Sequence, residues 1–179
     1  MAFLIFPILL LLAVWIAAVR RHLGGLSENM DTAMNQIGLQ LASRYRAADA
    51  LLGLIRSYGL SAQLVLVFPS VDAHSTPAQV LEQEQRLAQA MHYITTVAES
   101  HPAIKADKTY QRCTEASECY SRMVYTSSLI YNDSAAQFNH ALNQMPNRLL
   151  AGLLGYVPRE YLQPAPDAPV VCPVADETA

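Results

Sequence analysis

Cysteine is scarce in this chain, and the three present, Cys113, Cys119 and Cys172, fit neither a disulfide framework nor the close pairs of a zinc site. Such usage suits a reducing compartment. Basic charge is scarce too: 12 Lys and Arg stand against 15 Asp and Glu, a net charge of -3, which excludes a protein built to neutralise nucleic-acid phosphates. The motifs of common catalytic sites are missing, with no G-x-S-x-G turn, no glycine-rich phosphate loop and no H-E-x-x-H helix.

The remaining reactive side chains do not converge. Cys113 and Cys119 are six residues apart, so on a helix they diverge by about 120° and read as small packing residues. His92, His101 and His140 have no neighbour spaced to chelate with them. Glu82 and Glu84 point to different sides of a helix; Glu82 pairs with Arg86 at i,i+4, and both acids read as solvated, although Glu84 falls inside an apolar stripe. The expectation is a protein with no catalytic, cofactor-binding or metal-binding residues, and not an enzyme.

What the chain does have is an 18-residue apolar run, residues 2–19, closed at once by Arg20 and Arg21. As a helix it covers about 27 Å, close to the roughly 30 Å of a bilayer's hydrocarbon core. No basic residue precedes it and no clean cleavage site ends it, so an uncleaved anchor is favoured over a signal peptide or a buried core helix. Pro7 costs least if the helix starts beside it, and Trp15 reads as lipid-facing packing. Two arginines after the span and none before it favour an outside N-terminus and a cytoplasmic C-terminal domain.

Beyond the anchor, Met30, Met34, Ile37, Leu41, Ala48, Leu51 and Ile55 recur at helical spacing, with Arg44 and Arg46 able to turn away or snorkel. This predicts a first soluble helix over residues 27–58, broken from the anchor at Gly24 and Gly25 and stopped at Gly59. LSAQLVLVFPS, residues 60–70, reads as a strand or a helical connector, the connector being favoured. Ser75 or Thr76 before Pro77 starts a second helix whose stripe, Val80, Leu87, Met91, Ile94 and Ala98, ends near His101 and Pro102. A third runs through Tyr110, Cys113, Ser117, Tyr120, Val124, Ser127, Tyr131, Ser134, Phe138, Ala141 and Met145, with rings and small residues mixed so that facing helices interdigitate, and Pro146 closes it. RLLAGLLGY, residues 148–156, reads as an apolar cap. The proline-rich tail cannot hold a regular helix.

Asn132, Asn139 and Asn143 lie on one broad side of the third helix, either fixing its register or facing solvent. Asn132, Asp133 and Ser134 also match a glycosylation acceptor, read as a chance match on a long helix.

Several of these elements resemble the LemA family of bacterial membrane-anchored helical proteins. The likeness runs over residues 23–162. It is most specific at Tyr131 with Asn132, Phe138 with Asn139, Pro146, Ala151, Gly155 with Tyr156, and Tyr161; Gln36, Ile37, Gln40 and Leu41 resemble the first-helix pattern, and His101, Pro102, Ile104, Lys105 and Ala106 its turn between helices. The chain departs from the pattern at Met34, where the family usually shows tryptophan, at AADALL, residues 47–52, in place of an I-P-N-L element, and at residues 127–130, where arginines are usual. Those departures put in question a surface shared with typical members.

The resemblance implies an all-α fold, an N-terminal transmembrane helix followed by an elongated antiparallel helical bundle, and no established reaction or cofactor. The expected divisions are an anchor at 2–19, a bundle domain at 23–157 and an extended tail at 158–179. The expected role is a non-catalytic scaffold or interaction protein of a bacterial inner membrane, with the bilayer and a protein as partners and no nucleic acid. The alternative is a lipid- or small-ligand-binding domain of the envelope.

Overall fold

The computed structural model describes residues 2–60, 66, 71–145, 147, 148, 152 and 155–163. Over these residues the chain is all-α, with four helices and no strand: α1 (Ala2–Ser57), α2 (Pro77–Ser100), α3 (Pro102–Lys105) and α4 (Lys108–Asn143).

Helix α1 is the chain's one helix, among the described residues, long and apolar enough to cross a membrane. It runs through Gly24 and Gly25 without the expected break. Each glycine costs roughly 1 kcal/mol against alanine in a helix interior, and neither has a neighbour that would meet a Cβ. The helix holds because Leu23 and Leu26, on either side of the pair, are buried in the bundle core, and tertiary packing outweighs local propensity. The core therefore reaches back to Val19, at the end of the apolar run. Before it, Phe6, Leu10, Leu11, Leu12 and Val14 stand exposed, a grouping of large apolar side chains of the kind that marks an interaction or membrane surface. Two details of this segment differ from expectation. The helix begins five residues before Pro7, whose missing N–H costs one bond to the first turn, and Trp15 is half-buried against the bundle core instead of facing outward.

At its other end α1 stops as the sequence indicates. Gly59 takes φ +77°, a left-handed conformation that suits glycine, and the Leu60 N–H turns back to the Ile55 carbonyl. Val71 then lies against the middle of α1 at Gly38, so closely that a Cβ there would overlap the Val71 carbonyl oxygen. Residues 61–65 and 67–70, most of the strand-or-connector segment, lie outside the described residues.

Helix α2 starts with a reciprocal cap: the Gln79 N–H donates to the Thr76 hydroxyl and the Thr76 N–H to the Gln79 side chain, with Pro77 at the first helical position. It runs in the same direction as α1, since Tyr45 bonds Gln83 while Tyr58, farther along, approaches Ala103 and Asp107. Helix α4 returns antiparallel and packs along α1 more extensively than α2 does. Its start is capped by Asp107, whose carboxylate is held below the usual range chiefly by accepting the Thr109 N–H. The predicted seam is largely buried, with Ser117, Ser127 and Ser134 among Tyr110, Val124, Tyr131 and Phe138. Cys113 and Tyr120 are half-buried at its edge. Met145 is not part of it: α4 ends at Asn143 and Met145 is exposed. Pro146, and residues 149–151, 153 and 154 of the expected cap, lie outside the described residues.

The departures from the family pattern fall on both packing and surface. Met34, Ala47, Ala48, Leu51 and Leu52 are buried, whereas Asp49, Ala50, Leu129 and Ile130 lie open to solvent. Replacing Gly38 with Ala is expected to destabilise the full chain by about 1–3 kcal/mol, because the loop backbone must move. Denaturant unfolding checks this, and an unchanged midpoint would remove the close approach as a constraint.

Candidate functional site

Polar side chains inside the bundle converge at two places. In the first, Arg44 on α1, which the sequence left able to turn away or snorkel, is buried, with Nη1 3.4 Å from Oε1 of Glu84 on α2. Glu84 is correspondingly a buried partner, not a solvated acid. Beside it the Tyr45 hydroxyl lies 2.9 Å from Gln83 Oε1 and 3.1 Å from the Gln83 carbonyl. Burial raises the Tyr45 pKa, with the charges of Arg86 and Arg44 acting against it. Removing one member of such a layer strands the other without water, so it fixes how α1 and α2 align. Glu82 does pair with Arg86 on the surface of α2, at 2.6 Å.

The second convergence holds the segment after α4. Asn132 accepts the Leu162 N–H at 2.8 Å and donates to the Leu162 carbonyl at 2.9 Å. Asn139 does the same to Arg159, at 2.8 Å in both directions. Between them the Tyr131 hydroxyl donates to the Glu160 carbonyl at 3.2 Å. The geometry matches by length: seven residues of helix advance about 10.5 Å, and three residues of extended chain about 9–10 Å. Two amides two turns apart therefore meet every third residue of an extended strap. A flat β-strand would turn residues 159 and 162 to opposite edges, whereas a threefold winding, which Pro158 suits, returns them to the same side.

The strap is anchored by apolar contact as well. Leu162 is buried in the core, and Tyr156 packs edge-on against Phe138, with ring centroids 6.0 Å apart and planes at 79°. Residues 158–163, expected to belong to a free extended tail, are thus part of the fold; residues 164–179, Cys172 among them, lie outside the described residues. Of the three asparagines, Asn143 is not in the clamp and bonds the Asn139 carbonyl on its own helix. The Asn132 amide, the atom a glycan would need, is engaged by Leu162.

The strap, the start of α2 and the adjoining stretches of α1 and α4 enclose a half-open cleft of about 530 Å³. Met30, Met34, Tyr131 and Phe138 form a largely buried floor, and Asp31, His74, Arg159 and Glu160 stand on the rim. Burial raises the Tyr131 pKa, the Arg159 charge opposes this, and the carboxylates of Asp31 and Glu160 reinforce it. Nothing in the sequence spacing marks this cleft, since its walls come from four separate stretches of chain. Among the described residues, no three His, Cys, Asp or Glu side chains gather as metal ligands.

The sequence model of the LemA family matches residues 33–173, most of the chain and the whole of the clamp and strap. The chain belongs to the LemA family. No curated protein sequence matches it.

Replacing Asn132 and Asn139 together with Ala is expected to release the strap while leaving α1 and α4 paired. Each loss removes two hydrogen bonds and costs about 1–3 kcal/mol. Hydrogen exchange should show the amides of Arg159 and Leu162 losing protection; protection equal to that of the parent chain would exclude the clamp.

Proposed function

We propose that this LemA-family protein is a non-catalytic scaffold or interaction module held at a bacterial inner membrane. The observation that carries this reading is the continuity of α1: one helix supplies both the exposed apolar segment and the central strut of the bundle. A surface mounted on such a rod is presented at a fixed height and angle to the bilayer. The polar groups support the same reading, because the amides of Asn132 and Asn139, the hydroxyls of Tyr45 and Tyr131 and the buried Arg44–Glu84 pair are engaged in holding helices and strap. The protein partner would dock on the bundle, and the lipid bilayer would take residues 2–19. Proximity labelling in intact cells, with the label after Ala179 and a chain starting at Leu23 for comparison, tests the role. A partner captured reproducibly only by the anchored form is the expected result; equal capture by both forms would count against a membrane-positioned scaffold.

Arg20 and Arg21, which follow the apolar segment, support a cytoplasmic bundle domain. Changing both to Glu is expected to give mixed orientation, read by accessibility of a C-terminal tag in intact and permeabilised cells. An unchanged orientation would remove the arginines as the topological signal.

The cleft favours a second reading, a small-ligand-binding domain, since its volume of about 530 Å³ lies within the range of small-molecule sites, roughly 300–1,000 Å³.

A further inference from the structure

We propose that the cleft binds a small organic amine in its ammonium form, with an apolar body resting on the floor. This deepens the ligand-binding reading and rests on it. The floor is built on Met30, Met34, Tyr131 and Phe138, side chains that are almost wholly buried beneath it, so the base of the cleft is closely packed and apolar and suits an aliphatic or aromatic body.

The rim chooses the charge. Asp31 is half-buried at the cleft and has no hydrogen bond or ion pair among the described residues. A carboxylate partly withdrawn from water without a partner favours a cation that supplies one. Glu160 adds a second negative charge, and the Tyr131 hydroxyl senses both carboxylates. Asp31 and Glu160 stand on the rim against a single guanidinium, Arg159. An anion would meet two carboxylates and one guanidinium.

The cleft meets α1 from Ser27 to Met34, about 9–20 Å of helix beyond Arg21, against a headgroup layer about 5–8 Å deep. The proposed ligand is an amine dissolved in solution.

Isothermal titration of the full chain in a neutral maltoside detergent, with detergent alone subtracted, tests the proposal using 2-phenylethylamine and its neutral counterpart 2-phenylethanol. The amine is expected to bind about tenfold more tightly, about 1.4 kcal/mol. Asp31→Asn should bring the amine to within about twofold of the alcohol, with helicity by circular dichroism showing the fold intact. Arg159→Gln, which alters an exposed side chain, should tighten the amine about two- to threefold and keeps the test valid if Asp31→Asn unfolds. Equal binding of alcohol and amine would overturn the ammonium assignment while leaving a ligand site; no binding of either would overturn both. Tighter binding of Nα-acetyl-lysine amide, whose side-chain ammonium is free, than of 2-phenylethylamine would overturn the small-molecule assignment in favour of a lysine presented by a protein.

Discussion

Everything else in this structure depends on α1 remaining a single helix from its apolar start to Ser57. At 1.5 Å per residue its 56 residues make a rod of about 84 Å. Such a rod is not sustained by propensity alone, since it contains Pro7 and the pair Gly24 and Gly25. It is sustained by the apolar stripe from Val19 to Ile55, which α4 covers along its length and α2 covers in part. Burial on one face supplies the free energy, and the helix carries its own backbone hydrogen bonds through the weak places.

A rod of this kind constrains its partners. A uniform apolar stripe would let α2 or α4 slide by a turn, because leucine against leucine is nearly indifferent to register. The structure removes that freedom with polar groups that have one place to go. Arg44 and Tyr45 meet Glu84 and Gln83, and displacement by one turn would leave a charge and a hydroxyl buried without partners. Gly38 adds a steric condition, since one backbone site on α1 admits the Val71 carbonyl. Ser117, Ser127 and Ser134 add a third, by letting α4 approach closely where they face the core. Position, more than strength, is what these residues contribute.

The sequence made the helices legible because helix ends are local. Thr76, Pro77 and Gln79 form their cap with one another, and Gly59 turns the chain by its own conformation. The polar layer was half legible. The apolar stripe of α1 skips from Leu41 to Ala48 and that of α2 from Val80 to Leu87, and these two gaps face each other across the bundle. One chain segment alone shows a gap but not its partner, so Glu84 reads as solvated. Gly24 and Gly25 misled for the opposite reason: their preference is local, while the burial of Leu23 and Leu26 comes from the assembled bundle core. The cleft was not legible at all, because Met34, His74, Tyr131 and Arg159 are separated by long stretches of sequence and meet only through the return of α4 and the strap.

The strap explains why asparagine stands where the family likeness is most specific. Holding a backbone residue by both its N–H and its C=O needs an acceptor and a donor in one plane at the end of a short arm. Aspartate has no donor, serine cannot make both bonds at that separation, and glutamine places the amide one carbon too far from α4. Tyr131 reaches the intervening carbonyl with a rigid ring, and Phe138 meets Tyr156 where the strap begins. The residues that look most like a functional signature are thus accounted for by folding: they turn a segment that cannot be helical into a fixed wall. That wall is what closes the cleft beside Asp31. The same bonds that complete the bundle therefore also fix the shape of the cleft.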